Sequence, residues 1–456
     1  MDNTAELDTL FLTFNCGRER IDTSYFAASI IKSLAGQLPP DLVVLSLQEF
    51  APIGYSFLGG SFVAPYLDRF AKAFNQAWGS EGGQYETVLN SNLGMTAIIL
   101  LAKPEIARNI RWIETGGVGV GMMEMGNKGA VGARLGYATG PSSAEEEVAM
   151  TFVAAHLAPM EEQCDRRNAD WKAINENLVF GRIPQAVDAR TKAIKDPSEE
   201  TEPLLSSATD GGSEAVNREL HTMISPSSHT FFGGDLNYRT SDIKPHPEDH
   251  HSWPEKTTPP NDEHHYTQLL ERDQLTRERS AGRTLHHLTE AQVTFPPTYK
   301  YSDKAQEQAR RAADAAGNKV AADVPIETDW LWAPHRVPSW CDRILYLDPP
   351  FPGTQPKIHI YTALPLQPTS DHRPVALRFS IPLKALPRTR GDAWVTSPFP
   401  IRRDWASHRA SARRKEIVVG VAAYLALTWE GRGLLVFTLI AIVGAWTLFT
   451  TFLHAG

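Results

Sequence analysis

The chain has 456 residues, 42% hydrophobic and 21% charged, which is enough for one large catalytic core or two ordinary domains with tails. This composition excludes a wholly disordered chain. Of the formal net charge of −8, residues 401–456 contribute +4, so residues 1–400 carry −12. Because duplex binding depends on neutralising phosphates, this acidic part argues against nucleic acid as a partner.

The three cysteines, Cys16, Cys164 and Cys341, are too few for a disulfide framework, and none has a partner at the CxxC spacing typical of zinc sites. The N-terminus has acidic residues where a secretory signal would be basic. Both features favour a reducing, cytosolic setting for the main domain.

Short runs of apolar and β-branched residues recur along the chain, each bounded by Gly, Pro or polar residues, a pattern that predicts strands. The runs cover residues 10–15, 42–48, 97–102, 130–135, 149–155, 229–234, 342–347 and 375–381. Helical patterns lie between some of them, at residues 27–38, 63–78 and 161–177. The mixture predicts an α/β core of sheets covered by helices.

Three insertions interrupt this alternation. Those near residues 190–220 and 242–265 are rich in polar residues, Pro and acids, and we predict mobile loops. The second contains five histidines without regular ligand spacing, which favours a solvated loop over a metal site. The third, residues 304–324, is Ala-rich and charged with helical periodicity, and predicts a surface helix.

Polar clusters stand at the ends of the predicted strands, where α/β folds assemble active sites. Asn15 and Glu49 each end an apolar run, and such hard oxygen donors suit Mg²⁺, although Glu49 alone also fits an ordinary strand end. Asp235 and Asn237 follow another run. On an extended chain they point to one side, which suits a base and its positioning partner, whereas an Asx-type turn is the alternative.

Three longer segments contain such polar clusters: Thr-Phe-Asn-Cys-Gly-Arg-Glu at 13–19, Gly-Asp-Leu-Asn-Tyr-Arg at 234–239 and Pro-Ser-Trp-Cys-Asp-Arg-Ile-Leu at 338–345. Together with the other polar clusters at strand ends, taken in chain order, these segments resemble the inositol polyphosphate 5-phosphatases of the endonuclease/exonuclease/phosphatase superfamily. The resemblance covers residues 8–382. The segment 13–19 and the C-terminus are similar to those of fungal tail-anchored phosphatidylinositol 4,5-bisphosphate 5-phosphatases.

The resemblance implies a four-layer α/β sandwich, two stacked mixed sheets between helices, with one Mg²⁺-centred site at the loop end. Carried over to this chain, it assigns Asn15 and Glu49 to Mg²⁺, Asp235 to activating the attacking water and Asn237 to positioning that water. The reaction it implies is removal of a 5-phosphate by water without a covalent intermediate.

The resemblance also assigns His156 and His372 to the scissile phosphate and Asp342 to orienting His372. Physically, cationic donors offset the charge that develops on the phosphoryl oxygens. This chain departs from the common pattern at Met160, where many members have a second histidine. Since Met160 neither accepts a proton nor binds Mg²⁺, the departure affects that second histidine's role alone.

By the same resemblance, Tyr299, Lys300 and Arg336 contact the 4-phosphate, and Asn127 and Lys128 lie on the 1-phosphate side. Without the motifs, loop Lys and Arg are ordinarily solvated. Basic residues in an acidic domain are nevertheless more informative than on a neutral surface. The implied substrate is phosphatidylinositol 4,5-bisphosphate, with the 3,4,5-trisphosphate as a further candidate, and the catalytic domain is expected to be a monomer.

Residues 434–453 form an uncharged segment of about 20 residues. A helix of this length spans roughly 30 Å, so the segment is predicted to be a transmembrane helix. A basic cluster precedes it in a juxtamembrane linker, residues 383–416, and the positive-inside rule places the catalytic domain in the cytosol. The apolar run 417–428 is too short to cross alone and either lies in the interface or forms half of a hairpin. The anchor as a whole covers residues 417–453, and its short span favours the endoplasmic reticulum.

Three alternatives remain. A nuclease of the same superfamily would share the catalytic residues, but the acidic domain and the anchor argue against it. A non-enzymatic phosphoinositide-binding module would need a broken catalytic set. A sphingomyelinase-like phosphodiesterase would leave the three 4-phosphate residues without an anionic partner.

Overall fold

The computed structural model of the protein describes residues 5–34, 37–79, 84–139, 147–182, 222–317, 329–387 and 393–455. Strands in these ranges form two sheets. The strands are β1 Glu6–Asn15, β2 Leu42–Gln48, β3 Glu86–Leu93, β4 Thr96–Ala102, β5 Ile110–Gly119, β6 Gly129–Ala138, β7 Glu147–His156, β8 Gly181–Arg182, β9 Ser228–Asp235, β10 Leu288–Thr289, β11 Asp342–Leu347, β12 Lys357–Ala363 and β13 Val375–Pro382. The first sheet has the order β12-β13-β1-β2-β4-β3, and the second has the order β10-β11-β9-β7-β6-β5-β8.

Helices cover the outer faces of the sheets and follow them at the C-terminus. They are α1 Thr23–Ser33, α2 Ile53–Leu58, α3 Ala64–Trp78, α4 Pro104–Ala107, α5 Cys164–Asn177, α6 Tyr266–Leu270, α7 Gln274–Ser280, α8 Asp303–Ala316, α9 Trp405–Leu427 and α10 Trp429–Ala455. Short 3₁₀ turns lie at Gly60–Phe62, Met122–Glu124, Glu161–Gln163 and Asp249–Ser252.

The layers follow from the two-residue period of buried strands. In β1, Leu10, Leu12 and Phe14 pack against α1 and α3, whereas Phe11 faces the second sheet. In β7, Phe152 faces the first sheet and Val153 faces α5 and its surroundings. The result is helices, sheet, sheet and helices, so the predicted four-layer sandwich is confirmed.

The strand predictions agree with the structure to within a few residues, and residues 42–48 and 342–347 have the predicted bounds. The predicted helix 27–38 is wrong at both ends. Asp22 caps α1 by accepting the Tyr25 N–H at 2.9 Å, and α1 ends at Ser33, leaving Leu38 exposed. Sequence patterns missed β3, β5 and β12, whose residues are largely half-buried.

The insertions have different outcomes. Residues 190–220 lie outside the described ranges. The predicted surface helix at 304–324 corresponds to α8, which begins after its N-cap Ser302 and ends at Ala316, while residues 318–324 lie outside the described ranges. Residues 242–265 are irregular apart from one 3₁₀ turn, and four of their histidines are exposed, while His265 caps α6. That arrangement agrees with a polar loop.

The C-terminal part consists of two helices of different character. Helix α9 begins at Trp405, inside the expected linker 383–416, and packs against α2, so this stretch is partly a docked helix. Its second half includes residues 417–427 of the apolar run 417–428. Helix α10 contains the predicted span 434–453, and the most apolar 18-residue window within Trp429–His454 has a mean hydropathy of 2.1 and is not buried. By length and composition, α10 alone among the described helices can cross a bilayer.

Candidate active site

The polar cluster forms where several strands end at one edge of the two sheets. In the parallel pair β1 and β2, Asn15 pairs with Gln48, the residue before Glu49. In the second sheet, His156 of β7 is level with Asp235 of β9. Asp235 is in turn level with Asp342 of β11. The register therefore brings residues more than 300 positions apart to one edge.

The alternation that builds the core also aims these side chains. Phe11, Phe152, Phe231 and Ile344 fill the layer between the sheets. Counting along each strand in steps of two from these residues leads to Asn15, His156, Asp235 and Asp342. The inter-sheet layer thus changes from apolar to polar at this edge, and all four side chains are buried.

Asp235 is the centre of the cluster. Its Oδ2 accepts a hydrogen bond of 2.9 Å from the Asn15 amide and lies 3.2 Å from Nε2 of His156 and 3.9 Å from Nε2 of His372. Burial opposes ionisation, but His372, His156 and Lys128 outweigh it and hold the pKa of the Asp235 carboxyl far below its usual range. Asp235 is therefore a carboxylate whose lone pairs face the edge of the sheets.

His372 is held by a second buried carboxylate. Its Nδ1 lies 2.9 Å from Oδ2 of Asp342, which also accepts a 2.7 Å hydrogen bond from the Thr298 hydroxyl. Burial disfavours the charged ring, yet Asp342 and Asp235 outweigh it and raise the pKa of His372 to about 9. Burial raises the pKa of Asp342 to about 6. The ring is therefore a cation at neutral pH.

Asp235, Asp342 and His372 offer ligand atoms within 4.8 Å of one another, a spacing that a metal ion also uses. Because Nδ1 of His372 and Oδ2 of Asp342 already share a hydrogen bond of 2.9 Å, we interpret this trio as a hydrogen-bonded relay.

Asn15 and Glu49 have the donor chemistry for a divalent cation. Oδ1 of Asn15 is turned toward the Gly17 N–H at 3.2 Å, and the Glu49 carboxylate lies 2.8 Å from Nε of Arg18 and 3.6 Å from Nζ of Lys128. Burial opposes ionisation of Glu49, but His156, Lys128 and Arg18 lower its pKa. An ionised carboxylate and an amide oxygen at the ends of the adjacent strands β1 and β2 fit Mg²⁺.

Asn237 differs from the extended geometry expected for it. Its φ is 57°, so the chain turns there, and its N–H donates to Oδ1 of Asp235 at 3.2 Å, as in an Asx-type turn. Its side-chain amide donates to the Leu157 carbonyl at 3.1 Å and accepts from Arg239 at 2.5 Å. Asn237 thus contacts Asp235 through its backbone.

Two of the three residues expected at the 4-phosphate, Tyr299 and Lys300, lie beside His372 and its neighbour Asp371. The Tyr299 ring lies 4.5 Å from the His372 ring, centroid to centroid, and Lys300 pairs with Asp371. Burial favours neutral Lys300, but Asp371 outweighs it and raises the Lys300 pKa. Arg336 is close enough to oppose that effect.

Arg336 rests on the segment that departs from the common pattern. Its guanidinium donates to the Met160 sulfur at 3.1 Å and lies 3.7 Å from a carboxylate oxygen of buried Glu161. Met160 therefore supports a basic side chain where a second histidine is common.

Lys128 lies inside the polar cluster, with Nζ 3.4 Å from Nδ1 of His156 and closer to Nε2. Burial lowers the pKa of Lys128, and burial followed by the Lys128 charge lowers the pKa of His156. Asn127 faces a neighbouring cavity of about 810 Å³, which residues of α9 also line.

Sequence reasoning missed several residues of the site. Arg18, Thr298 and Arg239 contact Glu49, Asp342 and Asn237 respectively. Arg18 lies in the segment 13–19 and Arg239 in the segment 234–239, so their closeness in sequence to Asn15 and Asn237 could have indicated that they belong to the site. Thr298 directly precedes Tyr299, and its role depends on a strand 44 positions away.

The chain matches endonuclease/exonuclease/phosphatase family 2 over residues 12–378, and the protein belongs to that family. Within it, the chain is 26% identical over 390 residues to type II inositol polyphosphate 5-phosphatase 15 of Arabidopsis thaliana, covering 81% of this chain and 31% of that protein. It is 24% identical over 455 residues to probable inositol polyphosphate 5-phosphatase C9G1.10c of Schizosaccharomyces pombe, covering 94% and 32%. The resemblance expected from the motifs is confirmed.

Among solved structures, the fold is similar to the inositol polyphosphate 5-phosphatase domain of SPsynaptojanin in complex with inositol (1,4)-bisphosphate and calcium ion. The TM-score is 0.56 at 20% identity, covering 92% of this chain and 94% of that one. The chain spans about a third of the length of the two curated relatives.

Proposed function

We propose that the protein is a Mg²⁺-dependent phosphomonoesterase that removes the 5-phosphate from phosphatidylinositol 4,5-bisphosphate at a cytosol-facing membrane. The observation that carries this proposal is the buried Asp235 carboxylate held between Asn15, His156 and His372, with Asp342 behind His372. That the substrate is an inositol ring with a 5-phosphate is inferred from the relatives, which are named inositol polyphosphate 5-phosphatases.

Asp235 is the base that orients the attacking water in this proposal. Its Oδ1 is fixed by the Asn237 N–H, and its Oδ2 by Asn15, so the carboxylate has one orientation. A substrate phosphate brings negative charge close to Asp235, which raises the pKa of the carboxyl and makes it a better proton acceptor in the complex.

The two histidines face the phosphoryl oxygens. His372 stays charged because Asp342 holds its Nδ1, which leaves Nε2 to donate to a phosphoryl oxygen. Lys128 and His156 form a second donor group on the other side of Asp235. A divalent cation such as Mg²⁺, when bound by Asn15 and Glu49, would withdraw further charge from the phosphoryl oxygens.

The membrane part of the proposal rests on α10 and on basic residues before it. Arg402, Arg403, Arg409, Arg413, Arg414 and Lys415 precede the span, and the positive-inside rule puts this side in the cytosol. The catalytic domain and the lipid headgroups then share one side of one membrane. The endoplasmic reticulum is the proposed organelle because the span is short.

The test is a substrate panel on the full-length protein in detergent micelles with Mg²⁺. The panel holds phosphatidylinositol 4,5-bisphosphate and 3,4,5-trisphosphate, soluble inositol 1,4,5-trisphosphate, sphingomyelin and a nicked DNA duplex. We expect phosphate release from the 4,5-bisphosphate lipid, with the 4-monophosphate as product. Asp235→Asn is expected to lower kcat by roughly 10²–10⁴-fold, whereas Asp242→Asn, an exposed carboxylate after the same strand, keeps wild-type turnover.

Each alternative gives a different result. Cleavage of the duplex without phosphate release indicates a nuclease, and phosphocholine release from sphingomyelin indicates the phosphodiesterase. Binding of the lipid without turnover in the wild-type protein indicates a binding module. Any of these three outcomes contradicts the proposed activity.

A further inference from the structure

Helix α9 contacts the loop at residues 122–128 through one buried carboxylate. Glu416, with a fully buried side chain, accepts the Gly126 N–H at 3.0 Å and pairs with Arg409 at 2.9 Å and Arg413 at 3.6 Å. We infer that Glu416 is a positioning residue, by which helix α9, the helix that precedes the candidate membrane span, holds the loop that carries Asn127 and Lys128 in its substrate-binding form.

Packing alone does not require a carboxylate at this position. At the contact between α9 and α2, one glycine of each helix lets the other helix approach closely: a Cβ on Gly54 would lie 2.9 Å from the Tyr424 nitrogen, and one on Gly420 would lie 2.9 Å from Cβ of Phe57. A buried charge is costly unless it is paired and hydrogen-bonded. Outside α9, the partner of Glu416 is the Gly126 N–H. The Glu416 carboxylate therefore connects α9 to the loop that contains Gly126.

The loop is closed on its other sides by backbone contacts. The Gly126 carbonyl accepts the Met95 N–H at 2.8 Å, and the Lys128 carbonyl accepts the Val120 N–H at 2.9 Å. A Cβ on Gly126 would come within 3.0 Å of Gly94, so the backbone there has little room to move. Gly126 is therefore held at both of its backbone polar groups: its carbonyl accepts the Met95 N–H, and its N–H donates to Glu416.

The catalytic cluster begins two residues further along the chain. Nζ of Lys128 lies 3.6 Å from the Glu49 carboxylate and contacts the His156 ring. A shift of Gly126 therefore moves the ammonium that neutralises Glu49 and supports His156. Two exposed contacts add to the connection: His408 pairs with Glu124 at 2.8 Å, and Lys415 donates to the Met123 carbonyl at 3.5 Å.

The experiment compares backbone amide hydrogen exchange of residues 122–128 in full-length protein in micelles. Glu416→Ala removes the acceptor, and we expect exchange at Gly126 to rise at least about tenfold. Glu416→Gln keeps an acceptor oxygen and is expected to retain most of the protection. Arg414→Ala, an exposed residue in the same turn, is the matched control.

Glu416→Asp covers the case in which the alanine variant fails to fold. It keeps the charge beside Arg409 but withdraws the oxygen from Gly126, so we expect loop exchange to rise while the melting temperature stays near the wild-type value. Wild-type loop exchange in both Glu416→Ala and Glu416→Asp, or the same rise in Arg414→Ala, overturns the inference.

The kinetic readout rests on the proposed function. For soluble inositol 1,4,5-trisphosphate, we expect Glu416→Ala to raise KM by about tenfold, with a smaller change in kcat and rescue by Glu416→Gln. Because the exchange measurement needs no turnover, it decides the role of Glu416 even if the wild-type protein hydrolyses no phosphate. A raised exchange rate with no phosphatase activity contradicts the proposed function alone.

Discussion

Nδ1 of His372 lies 2.9 Å from Oδ2 of Asp342, and both side chains are buried at the edge where the two sheets end. Asp342 belongs to a strand, whereas His372 lies in the loop before β13. The pair therefore fixes the ring of a loop residue on a rigid element, and it keeps that ring charged.

The charge of His372 predicts the alkaline limb of the pH profile. With a pKa raised to about 9, the ring is protonated below that pH, and activity that needs the cation is lost above it. Besides Asp342, the carboxylates of Asp235 and Asp371 also raise this pKa. Asp342→Asn removes one of these charges, so the alkaline limb of kcat/KM moves to lower pH, by at least about one unit.

The control for this prediction is Asp348→Asn, an exposed carboxylate just beyond the end of β11. It is expected to leave the profile unchanged. An alkaline limb that stays in place in Asp342→Asn would show that the charge of His372 does not limit the reaction.

Glu49→Gln tests the proposed cation site. The amide cannot supply the negative charge that Mg²⁺ requires, so the Mg²⁺ concentration for half-maximal activity should rise at least about tenfold. The stabilisation of the folded protein by Mg²⁺, measured as a rise in melting temperature, should weaken in parallel. Glu19→Gln, an exposed neighbour, should behave as wild type. Equal Mg²⁺ responses in the two variants would place the cation elsewhere.

The 4-phosphate assignment predicts a change in substrate preference. Arg336→Ala and Lys300→Ala each remove a cation assigned to the 4-phosphate, so kcat/KM for phosphatidylinositol 4,5-bisphosphate should fall about tenfold or more. Phosphatidylinositol 5-phosphate lacks the 4-phosphate and should be affected much less. Arg272→Ala, an exposed cation on the domain surface, is the control. A uniform loss on both lipids would contradict the assignment.

Docking of α9 predicts an unusual cost for a glycine-to-alanine change. Alanine favours a helix over glycine by about 1 kcal/mol, yet the Cβ in Gly54→Ala meets the Tyr424 backbone, which cannot move aside. Overpacking of this kind costs about 1–3 kcal/mol. We expect a lower melting temperature and faster tryptic cleavage within 402–415. Gly433→Ala, at a helical glycine with no atom within 4 Å of the added carbon, should show neither; the same stability in both would mean that α9 is not docked.

Much of the site was readable because its residues stand at the ends of strongly apolar strands. Strands such as β2 and β9 are buried throughout, so their boundaries and the polar residues that follow them are sharp in the sequence. The half-buried strands β3 and β12 lack that contrast, and β8 and β10 have two residues each.

The geometry around these residues was beyond the reach of sequence patterns. The turn at Asn237 depends on hydrogen bonds to Leu157 and Arg239, and the first of these is 80 positions away. The contact between Glu416 and Gly126 joins residues 290 positions apart and depends on the small side chains that let α9 approach α2. Local periodicity carries no record of such partners.

Thr428 alone separates α9 from α10, and its φ of −93° and ψ of 154° mark the break between the two helices. In the proposed membrane-bound form, α9 packs on the catalytic domain while α10 lies in the bilayer, so Thr428 alone joins the docked helix to the membrane span. We therefore expect the proposed enzyme to act on lipids of its own membrane and to have little access to lipids of a neighbouring membrane.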